Sequence, residues 1–508
     1  MLKRILLCVV VASMVLGLIA CTPQSKETGP TPTKKTEIIV AQSADPPTLD
    51  PYASNDSASS AIKIQVFNSL VKTDLQMNVV PDLAESWEPL DDLNWKFNLR
   101  KGVKWHNGEE FTAHDVKYSI ERMKQFGQVA HLVEAITDVI VEDDYTVILR
   151  TEAPYAPILT NLAHSAARIV NQKAIEDAGE DVGIKPIGTG AFKFVDWIAS
   201  DSVTLERFDE YFEGPAGAEK LVFKTIPAGT SRTIALETEE IDFAYAIEPN
   251  DKAVIEGNPE TTLHEINSNR IEYLAFNLNK EPFNIKEVRQ AINHVVDKQA
   301  ILDVAEAGRG RIAHTVTGPT VLGFNPDVPE YELNVEKAKE LMATAGYADG
   351  FSATLSASGE VQNRVAQILQ ANLAEINIDV RIQLYEWGAY LDHTANGVHE
   401  MFLLGWTNLT ADGDGSMYPN FHSSRQGAGG NRSFYSNPEV DALLLAGRED
   451  VNEETRPTHY QKAQLLIMED APWVPLYYQT VKVGTRADLK GVELHPGAMH
   501  KLNKLKYE

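Results

Sequence analysis

Residue types that can do covalent or metal chemistry are present in this chain, but their spacing does not assemble a catalyst. Ser60-Ala-Ile-Lys63 has the Ser-x-x-Lys spacing of a nucleophile beside a lysine base, yet no Lys-Thr-Gly partner accompanies it, and one such match is expected by chance at this length. There is no Gly-x-Ser-x-Gly elbow, no His-Glu-x-x-His and no Cys-x-x-Cys. Asp412-Gly-Asp414-Gly starts like a calcium loop, but Met417 stands where the loop turns on glycine and Ser423 where it needs a bidentate glutamate. The 13 histidines are scattered, with His393 and His399 the closest pair apart from His495 and His500. The glycines of Ile187-Gly-Thr-Gly-Ala-Phe192 read as a tight turn into a strand rather than a phosphate cradle. The expectation is a binding protein with no catalytic residues, no cofactor and no resident metal.

The elements that would position a binding site alternate between short strands and helices, the pattern of an α/β protein. Residues 38–43 read as a buried strand running into the proline-rich loop Asp45–Tyr52, followed by a helix over about Ser60–Leu70. Leu93–Leu99 alternates apolar and polar residues as a half-buried strand does. Thr112-x-x-Asp115 has the spacing of a capping box, so a helix is expected from there to about Met123. Asn284, Asn334 and Asn437 are placed to cap further helices, with Gly346 and Pro438 at matching stop and start positions. No internal repeat is visible.

The N-terminus opens with Lys3 and Arg4 and runs apolar from Ile5 to Ala20, the layout of a secretory signal and shorter than the ~20 residues a spanning helix needs. Its end, Leu18-Ile19-Ala20-Cys21, resembles the bacterial lipobox, which implies cleavage before Cys21 and lipidation of its thiol. Residues 22–35 are rich in Pro, Thr, Gly and Lys and have nothing to bury, so 21–36 is expected to be a disordered tether. Cys8 would leave with the signal, and the mature chain would then have no disulfide. A net charge of −26, more negative by two without Lys3 and Arg4, argues against a nucleic-acid partner. The length beyond the tether exceeds what one core supports, so two or more lobes are expected.

Several segments carry a resemblance to a family: PPTLDPY at 46–52, PDLAESWE at 81–88, WKFNLRKGVKWHNGEEFTAHDVKYSIER at 95–122, PIGTGAFKFVDW at 186–197, VRQAINHVVDKQAI at 288–301 and EKAKELMATAGY at 336–347. They resemble the solute-binding proteins of peptide and nickel ABC importers, extracellular solute-binding family 5, over nearly all of 38–508. The resemblance implies a two-lobe clamshell of the periplasmic-binding-protein type II class with an added subdomain on lobe I. Lobe I would span 37–273 with a return at 482–508, the added subdomain about 55–187, and lobe II 274–481. Crossovers near Tyr273–Asn277 and Gln479–Lys482 would act as hinges.

The same resemblance implies a ligand site. Trp387 and Trp406 match tryptophans that flank ligand side chains, where flat indoles offer contact area at little entropic cost. Arg364 matches an arginine that grips a ligand carboxylate. Asn55, Asp56, Ser57 and Ala58 occupy the loop that touches a peptide main chain, and Asn277 lies on the hinge strand. The aspartate that anchors a peptide amino group in dipeptide and oligopeptide binders is here Leu409, leaving Asp412 or Asp414 to take that role. The implied protein is a monomeric, membrane-anchored receptor outside the cytoplasmic membrane that passes peptides or peptide-like solutes to ABC importer permease subunits. A receptor for a metal chelate of the nickel type and a ligand sensor are alternatives within the fold; a secreted hydrolase or chaperone is the alternative outside it.

Overall fold

A computed structural model describes residues 35–508 apart from Arg309. The signal segment 1–20, Cys21 and nearly all of the tether 21–36 lie outside the described residues.

The chain enters on β1 (Glu37–Gln42), makes a small hairpin from β2 (Val71–Thr73) and β3 (Val79–Pro81), and then a four-stranded antiparallel sheet. Its strands are β4 (Ala84–Pro89), β5 (Asn94–Leu99), β6 (Ile136–Asp143) and β7 (Thr146–Thr151), in the order β4-β5-β7-β6. Three further strands follow, β8 (Phe192–Ile198), β9 (Ser202–Arg207) and β10 (Lys220–Thr225), then the short β11 (Phe243–Tyr245). The long β12 (Thr261–Phe276) leads to β13 (Arg311–Ile312), β14 (Phe351–Ala357), β15 (Ile378–Leu384) and β16 (Met401–Thr407). The second long strand, β17 (Trp473–Arg486), comes back to the first half of the chain. The large sheet runs β15-β14-β16-β12-β17-β11-β1-β10-β9-β8, with β13 on β17.

β12 and β17 are antiparallel partners along most of their length, and they are where the hydrophobic core changes hands. Ile266 and Val481 pack with the core built from β1, β5, β7, β10 and the C-terminal segment. Ile271 and Tyr478 pack instead with a core that includes Tyr390, Phe421 and Trp473. A bulge interrupts the ladder between Asn267 and Ile271, at this changeover. Bulges bend a strand and raise its local twist, so this is where the pair can turn from one body to the other.

Local signals account for most helix boundaries. Thr112 N–H donates to Asp115 over 3.0 Å ahead of the helix Ala113–Met123, and Asn334 and Asn437 cap the helices Val335–Thr344 and Pro438–Glu449. Two boundaries differ from expectation. The helix expected over Ser60–Leu70 spans Ser57–Val66, because Asp56 caps it by accepting Ser59 N–H at 3.0 Å. The helix after Asn284 starts at Lys286 with Ile285 at its cap, so Asn284 does not cap it. Among the described residues no helix is long and apolar enough to cross a membrane.

Candidate functional site

A cavity of about 470 Å³ opens beside the changeover of cores, within the size range of small-ligand sites. Most of its wall comes from the first body: Ile64 on the helix Ser57–Val66, the β2–β3 hairpin, Arg168, and the C-terminal segment around His495 and Lys501. One residue, Leu409, comes from the loop after β16 in the second body. It packs with Ile64 and Met499 in a small apolar cluster of its own. The approach depends on Gly497, where a Cβ would lie 2.5 Å from Leu409 Cδ2. The loop that carries Leu409 is tied to the bulge of β12, with Asn408 N–H donating to Asn269 C=O over 3.0 Å, while Asn269 N–H donates to Pro496 C=O over 3.1 Å. The loop carrying Leu409, the bulge of β12 and the C-terminal wall are therefore joined through Asn269.

The polar wall is organised around Asp82, which is fully buried. Its carboxylate accepts Asn68 Nδ2–H at 2.8 Å and Ser69 N–H at 3.0 Å, with Lys72 Nζ at 3.5 Å and Lys501 Nζ at 4.0 Å. Burial works against the charged form, but Lys501, Lys72 and the Ser69 amide together hold Asp82 below the usual carboxylate range. Lys72 also pairs with Glu213 at 2.5 Å. Burial lowers Arg168 to about 10 and shifts Lys501 downward as well. His495 Nε2 faces Thr73 Oγ1 at 3.0 Å, and burial brings the ring down to about 4, so it is neutral at pH 7.

Of the positions named from sequence only Leu409 lines this cavity; the other named residues are not part of its wall. Asp56 is buried as the helix cap and also accepts Ser54 Oγ–H at 2.6 Å; Asn55 and Ser57 are exposed and Ala58 is half-buried. Asn277 is buried and donates through Nδ2 to Gly397 C=O and His399 C=O. Trp406 is half-buried, its indole N–H donating to Gly415 C=O over 2.8 Å; Trp387, also half-buried, heads the helix Trp387–Ala395. Arg364 reaches across to Glu248 at 2.5 Å, and Gly229 makes room for that glutamate, since a Cβ there would meet Glu248 Cγ at 2.1 Å. Asp412 is gripped by both terminal nitrogens of Arg456, at 2.7 and 2.8 Å. Asp414 stands 3.0 Å from Arg448 and accepts Asn161 Nδ2–H at 3.3 Å, its carboxyl shifted upward by burial.

Lys72, Arg168 and Lys501 are absent from the sequence reading. The available signal was a charged residue inside an apolar run, as Arg168 is in Ala166-Ala-Arg-Ile-Val170. Nothing local links that run to Lys501 far down the chain.

Two bodies on a shared pair of strands, with a ligand-sized cavity at their junction, can be compared with known proteins. The family described as bacterial extracellular solute-binding proteins, family 5, middle region, matches residues 78–428. The chain belongs to this family. Family 5 relatives include the glutathione-binding protein GsiB of Salmonella choleraesuis (strain SC-B67), 30% identical over 478 residues, which cover 91% of this chain and 92% of that protein. The dipeptide-binding protein of Escherichia coli K12 is 30% identical over 482 residues, covering 88% and 90%. Among solved family 5 folds, the periplasmic binding protein DppA of Helicobacter pylori in complex with the peptide STSA superposes with a TM-score of 0.87 at 30% identity, covering 93% of this chain and 99% of that one. The fold is thus the two-lobe, type II periplasmic binding protein fold, and this chain is an extracytoplasmic solute-binding protein of family 5.

Proposed function

We propose that this protein is the substrate-binding component of an ABC importer, capturing peptides or peptide-like solutes between its lobes and delivering them to a membrane permease. The observation that carries the reading is the cavity closed by Leu409: a first-body chamber whose lid comes from the second body is suited to opening and closing about β12 and β17. Relatives named for glutathione and dipeptide binding, and a neighbour holding a peptide, support the solute class. No bond is made or broken in this cycle, and in this reading the lobes meet on β12 and β17, whose ladder is interrupted by the bulge after Asn267. The test is native mass spectrometry of the full-length chain with a pooled peptide library. Retained intact peptides support capture, whereas cleavage products formed at enzymatic rates would replace the receptor by a hydrolase.

The anchor belongs to the same proposal. A lipid on Cys21 would keep a single receptor within reach of its permease, and acyl chains contribute roughly 0.8 kcal/mol per buried methylene. Cys21→Ala should move the protein from the membrane fraction to the soluble fraction with ligand binding unchanged; continued membrane association would count against lipidation there.

A further inference from the structure

The cavity's donors and acceptors are not balanced. Each carboxylate in its wall is already engaged: Glu213 by Lys72 at 2.5 Å, Glu493 by Lys504 at 2.8 Å, and Asp74 by the Gln76 and Asn78 amides of its own turn, both at 2.9 Å. Lys72 and Lys504 are paired as well, but two cations of the wall, Lys501 and Arg168, keep donors unspent. Lys501 Nζ makes no hydrogen bond among the described residues and stands 4.0 Å from Asp82, whose oxygens already accept Asn68 and Ser69. Arg168, 3% exposed, spends Nε on Ser165 C=O and Nη1 on Ser69 Oγ, which leaves Nη2 with no partner among the described residues. Around Asp82 three cations, Lys72, Arg168 and Lys501, face two carboxylates, Asp82 and Glu213. One negative charge would complete the set.

Leu409, Ile64 and Met499 give the chamber an apolar patch of lining. An ammonium group placed there would lose its water with only already engaged carboxylates in the wall to receive it, at a cost of several kcal/mol. A carboxylate facing Lys501 and Arg168 would form charge-assisted hydrogen bonds with donors already in place.

We infer that this cavity selects a solute bearing a carboxylate, seated on Lys501 and Arg168, with an uncharged rather than ammonium-bearing part against Leu409. The inference rests on the receptor reading above and names the ligand class of the same site.

The test is titration calorimetry of the full-length chain with one pooled tripeptide library prepared in three forms: free acid, C-terminal amide, and N-acetylated free acid. The N-acetylated acid should bind at least as tightly as the free acid, and the amide form at least about tenfold more weakly than the free acid. Lys501→Met should weaken the acid forms about tenfold and bring the acid-to-amide ratio close to one, while Lys501→Arg restores the preference, which separates lost charge from lost folding. Equal binding of acid and amide pools by the unmodified chain would overturn the carboxylate inference and leave the receptor reading standing. Binding of the free acid but not its N-acetylated form would overturn the assignment at Leu409. Binding of none of the three pools would overturn the receptor reading and this inference together.

Discussion

Asp412 and Arg456 show how a residue can look like a ligand group in sequence and act as a structural one. Asp412 lies in a polar loop just past β16, where an acidic side chain could receive a peptide amino group. The fold instead brings Arg456 to it in a two-pronged contact, both partners buried. Removing one member of such a pair leaves an uncompensated buried charge, which costs about 3–5 kcal/mol. Asp412→Ala should therefore lower the urea midpoint by that much stability while the folded fraction binds ligand with unchanged affinity. A normal midpoint with lost binding would return Asp412 to the site. The site was only partly legible for the same reason: sequence supplies charges without their partners. Leu409 could be singled out because an apolar residue replaced an expected anion, but Lys501 acquires meaning only when the C-terminal segment lies against Asp82 and Lys72.

At the scale of elements, caps and alternation located β1, β5 and β8 and the helix starts after Thr112, Asn334 and Asn437, because those signals are local. What they could not give is which helix meets which strand across the junction of the two bodies. The helix Pro438–Glu449 carries in its last turn Arg448, which donates to Glu134 Oε1 at 2.9 Å, to His131 C=O at 2.9 Å and to Tyr155 Oη at 2.7 Å, and lies 3.6 Å over the Tyr418 ring. Arg425 adds a contact to Glu134 Oε2 at 3.3 Å and donates to Gly127 C=O at 2.6 Å. Glu134 lies ahead of β6 in the first body, and both arginines belong to the second, so this cluster bridges the bodies away from the strands that join them. Burial opposes ionisation of Glu134, but Arg448 and Arg425 hold it below the usual carboxylate range. Glu134→Ala should favour the open arrangement. Because apparent affinity falls with the fraction of closing-competent molecules, about tenfold weaker ligand binding is expected together with a larger radius of gyration in X-ray scattering. An unchanged radius with unchanged affinity would mean that the cluster does not bias closure.

For the molecule as a whole, four imidazoles set an acid limit, His495 and His500 buried and His106 and His164 half-buried. His106, His164, His495 and His500 each turn Nδ1 toward a backbone N–H, of Gly188, Ala166, Gly497 and His495 respectively, so Nδ1 must be an acceptor and the ring neutral. Burial takes His106 and His495 down to about 4 and His164 and His500 to about 3. A histidine in the unfolded chain titrates near 6.5, so above that pH neither state takes up a proton and these groups leave stability flat. As pH falls below 6.5 the unfolded chain binds protons that the folded one refuses, and stability drops until each folded pKa is reached, in the window from about 6.5 down to 3–4. Each ring then contributes a loss of roughly 2 kcal/mol by pH 5, several kcal/mol together, in addition to the loss at lower pH as Asp82 and Glu134 protonate. Calorimetric unfolding between pH 7.5 and 4.5 should show a falling melting temperature with net proton uptake on unfolding. His106→Asn, which keeps an acceptor for Gly188 without a group that titrates, should make that fall shallower; a slope identical to the parent's would show that His106 is not one of the groups responsible.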